Sequence, residues 1–284
     1  MSIENLNQKL NGELPVTREE LFVLINSWGR RLGFYTEDSQ NKDIYIESCK
    51  EKECYDLSKL DVSQITNMED LFLFSDYNGD ISNWNMSSVT NMSFMFHRSY
   101  NFNCNIENWD TSNVTDMNGM FSYAYNFNQN IGNWDTSRVT NMKRLFHGAT
   151  LFNQDISKWD VSKITNMYEM FYSAENFNQD ISKWDISKVT SMSSMFFEAK
   201  SFNQNISSWN LDNIKDSYFM FNKAKSFLDK YNSGEPLPNH TDDIKDWFNI
   251  NTERMNIISI KDQYGEEIDM FFNNITNIHS INKI

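Results

Sequence analysis

NQDISKWDVSKITNMYEMFYSAENF, residues 153–177, is one period of a pattern that returns every 25 residues. Its tryptophan has counterparts at the same spacing: Trp84, Trp109, Trp134, Trp159, Trp184 and Trp209. A period this strict marks a solenoid, in which each turn buries its apolar side against its neighbours. Aligned on the tryptophan, the unit reads Ile156, Trp159, Val161, Ile164, Met167, Met170, Phe171, Ala174, Phe177. The same apolar columns recur from Ile106 to Phe127 and from Ile181 to Phe202.

Two spacings share each unit. Trp159 and Val161 flank polar Asp160, the alternation of a short strand with one buried face. Met167, Met170, Phe171 and Ala174 fall at i, i+3, i+4 and i+7, the stripe of a helix lying on a core. The expected fold class is therefore α/β: a solenoid with one short strand and one short helix per 25-residue turn, capped at both ends. Asn141, Asn166 and Asp116 stand just before the methionine of the stripe, where a side chain can cap free backbone N–H groups. The threonines Thr90, Thr115, Thr140, Thr165 and Thr190 are candidates to share that role. Phe-Asn pairs such as Phe102-Asn103 and Phe202-Asn203 suggest a stacked asparagine column at a bend.

The ends of the array are degenerate, as terminal repeats are. Leu60 replaces the tryptophan, with Met68, Leu71 and Phe72 one residue out of phase, and Ser217 enters the methionine column. The expected organisation is an N-terminal cap over 1–53, about seven repeats over 54–228, and a C-terminal cap or small module over 229–284. Residues 1–16 read as poorly ordered. Thr17-Arg18-Glu19-Glu20 is a capping-box start to an amphipathic helix carrying Leu21, Phe22, Leu24, Ile25 and Trp28, ending near Gly29 or Gly33. Ile44-Tyr45-Ile46 and Cys54-Tyr55-Asp56-Leu57 read as strands. Gly234 to Pro238 reads as a linker, and Asp242 to about Asn256 as a helix. Ile257 to Ile260, a turn at Tyr264-Gly265, and Ile268 to Phe272 complete a closing piece.

At 284 residues and 15% aromatics the chain has ample material for a continuous core. A formal charge of −14 makes a nucleic-acid backbone an unfavourable ligand. No apolar run reaches membrane-spanning length, and membrane insertion is not expected. The start, Met1 to Leu10, lacks the basic and apolar regions of a signal peptide. Cys49, Cys54 and Cys104 form no metal motif and are expected to be reduced, although Cys49 and Cys54 could pair in an oxidising compartment.

The residues beside each buried tryptophan are expected to point outward. The candidate binding residues are Asn108, Asp110, Asn133, Asp135, Lys158, Asp160, Lys183 and Asp185. The bland reading of the Asp column is a set of Asx turns with Ser112, Ser137, Ser162 and Ser187. Calcium on stacked carboxylates lacks the glycine-rich turns it would need. A second surface follows the variable column His97, Ser122, His147, Tyr172 and Phe197. His97 and His147, two turns apart, are too distant to share a metal. A threonine array of ice-binding type is considered and set below capping. No catalytic triad context or phosphate loop is present, so no enzyme activity, cofactor or metal is expected.

FNQDISKWDISKVTSMSSMF, Phe177 to Phe196, resembles the BspA-type leucine-rich-repeat family, with its "DUF285" repeats of about 25 residues. The lead-in Thr17 to Leu24, Asp56-Leu57 and DVSQITNM (Asp61 to Met68) is similar as well. The resemblance covers residues 54–228 and the N-terminal helix. It implies a right-handed leucine-rich-repeat-like solenoid from a bacterial surface protein or lipoprotein, engaged in adhesion or in binding a host or partner protein. The chain departs from the standard repeat at Ile164, where an asparagine would open the Asn-x-Leu step, so the asparagine ladder is expected at the Phe-Asn corner instead. No signal, lipobox or anchor is visible, which leaves a cytoplasmic location open. The function expected is a monomeric, non-enzymatic protein-binding scaffold. The alternative is an intracellular acidic interaction protein, a nucleic-acid-mimic decoy or an inhibitor of another protein.

Overall fold

A computed structural model describes residues 3–26, 31–32, 44–45, 56–238 and 241–264. The named elements are α1 (Ile3–Leu10), α2 (Arg18–Asn26), β1 (Arg31–Leu32), β2 (Ile44–Tyr45), α3 (Lys225–Asn232) and α4 (Thr241–Tyr264). All of them flank the repeats. β1 and β2 pair antiparallel, Arg31 opposite Tyr45.

Residues 56–224 contain neither a helix nor an extended strand, which overturns the expected α/β architecture of one strand and one helix per turn. Each 25-residue period is instead a loop of successive tight turns, and consecutive loops stack. The expected helical stripe is a ribbon of β-turns. Met170 N–H donates to Met167 O (3.2 Å), Tyr172 to Glu169 O (3.2 Å) and Ala174 to Phe171 O (3.0 Å). The intervening amides of Met167, Glu169, Phe171 and Ser173 donate outward, to Ser191, Ser193, Met195 and Phe197 of the next loop (2.7–3.0 Å). A helix is impossible here because Glu169 (φ 54°) and Ser173 (φ 51°) are left-handed. That conformation belongs to the third residue of a type II turn. The apolar spacing looked helical because three linked turns also bring Met167, Met170, Phe171 and Ala174 to the inside, where all four are fully buried.

The expected strand fails for a similar reason. Asx turns close on both sides of Trp159: Asp155 Oδ1 accepts from Ser157 N–H and Asp160 Oδ1 from Ser162 N–H (both 2.9 Å). Trp159 N–H itself turns back to Ile156 O (3.1 Å). Too few residues remain for a ladder, and the loops are joined by single parallel bridges such as Asn91–Asp116 and Asn166–Ser191.

What holds the loops in register is a set of columns repeated along the stack. Each indole N–H reaches back to a carbonyl of the preceding loop, as from Trp134 to Ile106 O (3.1 Å) and Trp159 to Ile131 O (3.0 Å). The asparagine ladder forms at the Phe-Asn corner: Asn153 N–H donates to Asn128 Oδ1 and Asn178 N–H to Asn153 Oδ1 (2.9 Å each). Gln154 and Gln179 add amide bonds to the same oxygens (2.9 Å). Thr115 gives both its N–H and its hydroxyl to Thr90 O (2.8 and 3.1 Å), so the threonines tie loops together and cap nothing. Between them lie stacked rings. Phe121 is 5.8 Å from Phe146, Phe146 5.7 Å from Phe171, and Phe121 packs on Phe127 of its own loop at 3.8 Å. Burying each such ring contributes roughly 1.5–3 kcal/mol.

The ends are closed by the flanking helices. Thr17 and Glu20 form the capping box of α2, with Glu20 N–H on Thr17 Oγ1 (3.2 Å) and Thr17 N–H on Glu20 Oε2 (2.9 Å). The helix is described over Arg18–Asn26; Trp28 and the expected end at Gly29 or Gly33 lie outside the described residues. Residues Ile3–Leu10, expected to be poorly ordered, form helix α1, pinned by Lys9 to Glu20. Arg18 has a specific task. Inside the stack, Asn91 O and Ser93 O accept from Met68 and Asp70 of the preceding loop. Among the described residues no loop precedes the first one, and the Arg18 guanidinium donates to the equivalent carbonyls of Asn67 and Glu69. Asp56-Leu57, expected as strand, lies in a turn region.

At the other end, α4 runs unbroken from Thr241 to Tyr264, through Ile257 to Ile260; of the turn expected at Tyr264-Gly265, Gly265 lies outside the described residues. It buries Ile244, Phe248 and Met255, and Asn256 accepts from Asn205 (2.9 Å) and Ser207 (2.7 Å) of the last loops. The expectations for Ile46, Cys49, Cys54 with Tyr55, and Ile268 to Phe272 fall outside the described residues, whereas Cys104 is a free thiol.

Candidate functional site

Two surfaces emerge from this geometry. The first is the pair of columns beside the tryptophans. Asn108, Asp110, Asn133, Asp135, Lys158, Asp160, Lys183 and Asp185 are all exposed. They do not line a sheet, since none exists there; they stand on successive corners. Asp110, Asp135, Asp160 and Asp185 each accept the backbone N–H two residues on, at Ser112, Ser137, Ser162 and Ser187 (2.9–3.0 Å). Hydrogen bonds from the serine side chain and backbone hold each of these carboxyls below the ordinary aspartate range. The structural role read for this column in the sequence is therefore present, and it fixes the orientation of each carboxylate.

The second surface is a cleft of about 330 Å³ lined by Phe94, His97, Ser122, Tyr123, Arg144, His147, Glu169 and Tyr172. It lies on the turn ribbon and spans four loops. Left-handed positions build it: Phe94, Arg144 and Glu169 share one column with Gly119, and Tyr123 shares another with Gly148, all with positive φ. The glycines make the room. A Cβ on Gly119 would lie 2.4 Å from the Phe94 ring, and one on Gly148 would lie 2.7 Å from the Tyr123 ring. Each ring thus folds over a neighbour that has no side chain.

The histidines sit among these rings. His147 Nε2 lies 2.8 Å from the Tyr123 hydroxyl, and its ring stacks on Tyr172 at 4.5 Å. Tyr172 stacks in turn on Phe197 at 4.6 Å. His97 meets Phe94 and Tyr123 edge-on. Burial and the charge of Arg98 push the His97 pKa down to about 4. Burial lowers that of His147 as well, outweighing the opposing pull of Glu169. Both rings are neutral at physiological pH. Arg144 Nε donates to Glu169 Oε2 (2.7 Å). Burial works against the Glu169 carboxylate, yet hydrogen bonds from Tyr168 and Arg144 with the Arg144 charge keep its pKa below the ordinary range. His147 Nδ1 is 3.1 Å from the same oxygen, a contact that pulls its pKa upward against burial, whereas His97 Nδ1 has no hydrogen-bond partner.

The variable column thus gathers His97, Ser122, His147 and Tyr172 into one cleft, with Phe197 behind Tyr172. Arg144, Glu169, Tyr123 and Phe94 were not singled out in the sequence. The available signal was Gly119 and Gly148: two glycines within a supposed helical stripe mark columns that require left-handed backbone. Among the described residues no group of three or more His, Cys, Asp or Glu could hold a metal ion. No described helix is long and apolar enough to cross a membrane.

The fold defines a tandem-repeat protein whose 25-residue loops stack through recurring columns and leave side-chain arrays at the corners. The family model described as "Mycoplasma protein of unknown function, DUF285" matches residues 42–140 and again 125–234. The chain belongs to that family. No curated protein and no solved structure matches it.

Proposed function

We propose that the chain is a non-enzymatic protein-binding scaffold that engages its partner through the columns flanking the tryptophans, in the manner of a bacterial surface adhesin. The observation that favours this reading is the locked array: a repeated Asp carboxylate held by its Asx turn, next to Asn108, Asn133, Lys158 and Lys183, between buried indoles. Such an array has little side-chain freedom left to lose, so contact with a partner costs less ordering entropy. Lys158 and Lys183 interrupt an otherwise acidic line and would set the register of a partner by charge.

The experiment is cross-linking capture with the full chain on intact cells and extracellular extracts, repeated with a variant carrying Asp135→Asn, Asp160→Asn, Lys158→Glu and Lys183→Glu. Asn preserves the Asx turns, so the melting curve is expected to stay put while the captured proteins are lost. Capture identical to that of the parent would rule out these columns. Protease shaving of intact cells tests the surface location: a protected chain refutes it.

A further inference from the structure

We propose that the last loop presents a docking edge for residues 275–283 of this same chain, ITNIHSINK, which add one more turn ribbon to the stack. The inference goes beyond the protein-binding reading and does not rest on it, because it concerns the end of the array and not its corners.

The edge is a row of backbone groups in a register that the stack itself defines. Between the last two loops, Ser194, Phe196 and Glu198 N–H donate to Tyr218, Met220 and Asn222 O (2.8–2.9 Å), and Lys215 N–H returns to Thr190 O (2.7 Å). One loop further on, the equivalent groups are the amides of Phe219, Phe221 and Lys223 and the carbonyl of Lys215. Among the described residues nothing accepts from these amides or donates to that carbonyl. α4 lies over the centre of the loop, with Phe248 6.0 Å from Phe221. Tyr218 and Phe219 stand exposed beside the row (45% and 46%). Backbone groups are ordinarily paired, and an unpaired row is a template for further chain. At the opposite end Arg18 answers the carbonyls of Asn67 and Glu69, so the array closes its other edge.

What fits this edge is narrowly set. Phe219 (φ 57°) and Lys223 (φ 61°) are left-handed, so the row follows linked turns, and an ordinary extended strand does not match it. A second ribbon of the same kind does. Ribbons in the stack open on one pattern: Val89-Thr90-Asn91-Met92 with Met95, and Ile164-Thr165-Asn166-Met167 with Met170. Beyond α4, outside the described residues, the sequence carries it again as Ile275-Thr276-Asn277-Ile278 with Ile281. Laid in the register of the preceding loops, the carbonyls of His279, Ile281 and Lys283 match the amides of Phe219, Phe221 and Lys223, and Thr276 N–H matches Lys215 O. Ser280 then falls in the column that places Gly119 beside Phe94, a small residue next to the exposed Phe219 ring. The connection is long enough. Lys245 Nζ is bound to Asp212 O (3.3 Å), next to the start of the last ribbon. α4 carries the chain about 28 Å beyond Lys245, and the stretch from Tyr264 to Ile275 reaches up to about 36 Å.

The test is amide hydrogen exchange on the full chain, compared with a chain ending at Asn274 and with the full-length double variant Ile278→Asp, Ile281→Asp. We expect the Phe219, Phe221 and Lys223 amides to be protected in the full chain. Both variants should speed their exchange by ~10-fold or more, while the interior amides of Phe146 and Phe171 keep their rates. Fast exchange of the three amides in the full chain overturns the proposal. So does protection that survives both variants, or protection that rises with protein concentration, which would assign the edge to a second copy. Should the variants unfold, a cysteine pair decides: Lys215→Cys with Thr276→Cys, and Cys49, Cys54 and Cys104 replaced by serine. Stacked loops would put the pair's Cα atoms at ~4.8 Å, within disulfide range. A disulfide formed within the monomer under mild oxidation supports the docking, and its failure to form overturns it.

Discussion

Acidification should loosen this protein well before its carboxylates titrate, and the reason lies in His97. In the unfolded chain its imidazole has an ordinary pKa near 6.5, whereas in the stack burial and Arg98 bring it to about 4. The folded pKa is the lower one, so the unfolded state binds the proton first, and stability falls as pH drops from about 6.5 towards about 4. Worked through the linkage relation, the loss at about pH 5 relative to about pH 7.5 is close to 2 kcal/mol, or about 1–2 kcal/mol once the partial exposure of the ring is allowed for. His147, displaced in the same direction, adds to it. The Asx-turn aspartates and Glu169 are displaced downward too, and as carboxylates they withdraw their contribution only at still lower pH. Urea unfolding at several pH values, with the histidine ring protons followed by NMR, separates the groups. The expected result is a His97 midpoint well below 6, together with a stability slope between pH about 7.5 and 5 that shrinks in His97→Gln. A His97 midpoint at or above about 6.5 would refute the account, because burial among rings would then have no hold on its proton.

Three further outcomes follow from the columns. Trp159→Ala should cost about 3–5 kcal/mol in thermal or urea unfolding by opening a core cavity. Trp159→Phe should cost less than that, since Ile131 O keeps its bond from Trp134 N–H (3.2 Å); equal losses would mean the indole hydrogen bond, not the volume, dominates. Ser194→Gly relieves a left-handed residue (φ 55°) and should raise stability by about 0.5–1 kcal/mol; a fall in melting temperature would contradict the type II turn. Arg18→Ala should raise hydrogen exchange in the first loop, around Met68 to Phe74, while leaving interior loops protected, and uniform protection would show that the first carbonyls need no donor.

The period and the buried columns were legible in the sequence because they are set by side-chain volume: the tryptophans, methionines and phenylalanines assigned inward within the repeats are buried. The Asx turns were legible too, because Asp-x-Ser carries its own hydrogen bond. The local conformation was not. A helix and a ribbon of linked turns bring the same i, i+3, i+4, i+7 positions to one side, and only backbone φ separates them. Residues such as Glu169, Arg144 and Phe94 give no hint of a left-handed conformation, which the ladder to the next loop imposes on them. The cleft escaped notice for the same reason, because half of its lining stands on those left-handed positions. Helix α3 was hidden in what read as the decay of the last repeat.

Equivalent columns have a consequence for the length of the molecule. Asn128, Asn153 and Asn178 occupy interchangeable rungs, so excising residues 154–178 would join Asn153 to Gln179 and re-create the same neighbours on either side. Unequal crossing-over between repeats could shorten or extend the array by whole loops without any new side chain being invented. The cleft has no such freedom. Phe94, Tyr123, Arg144 and Glu169 are different residues on four successive loops, and losing one loop would dismantle it while the stack closed up behind.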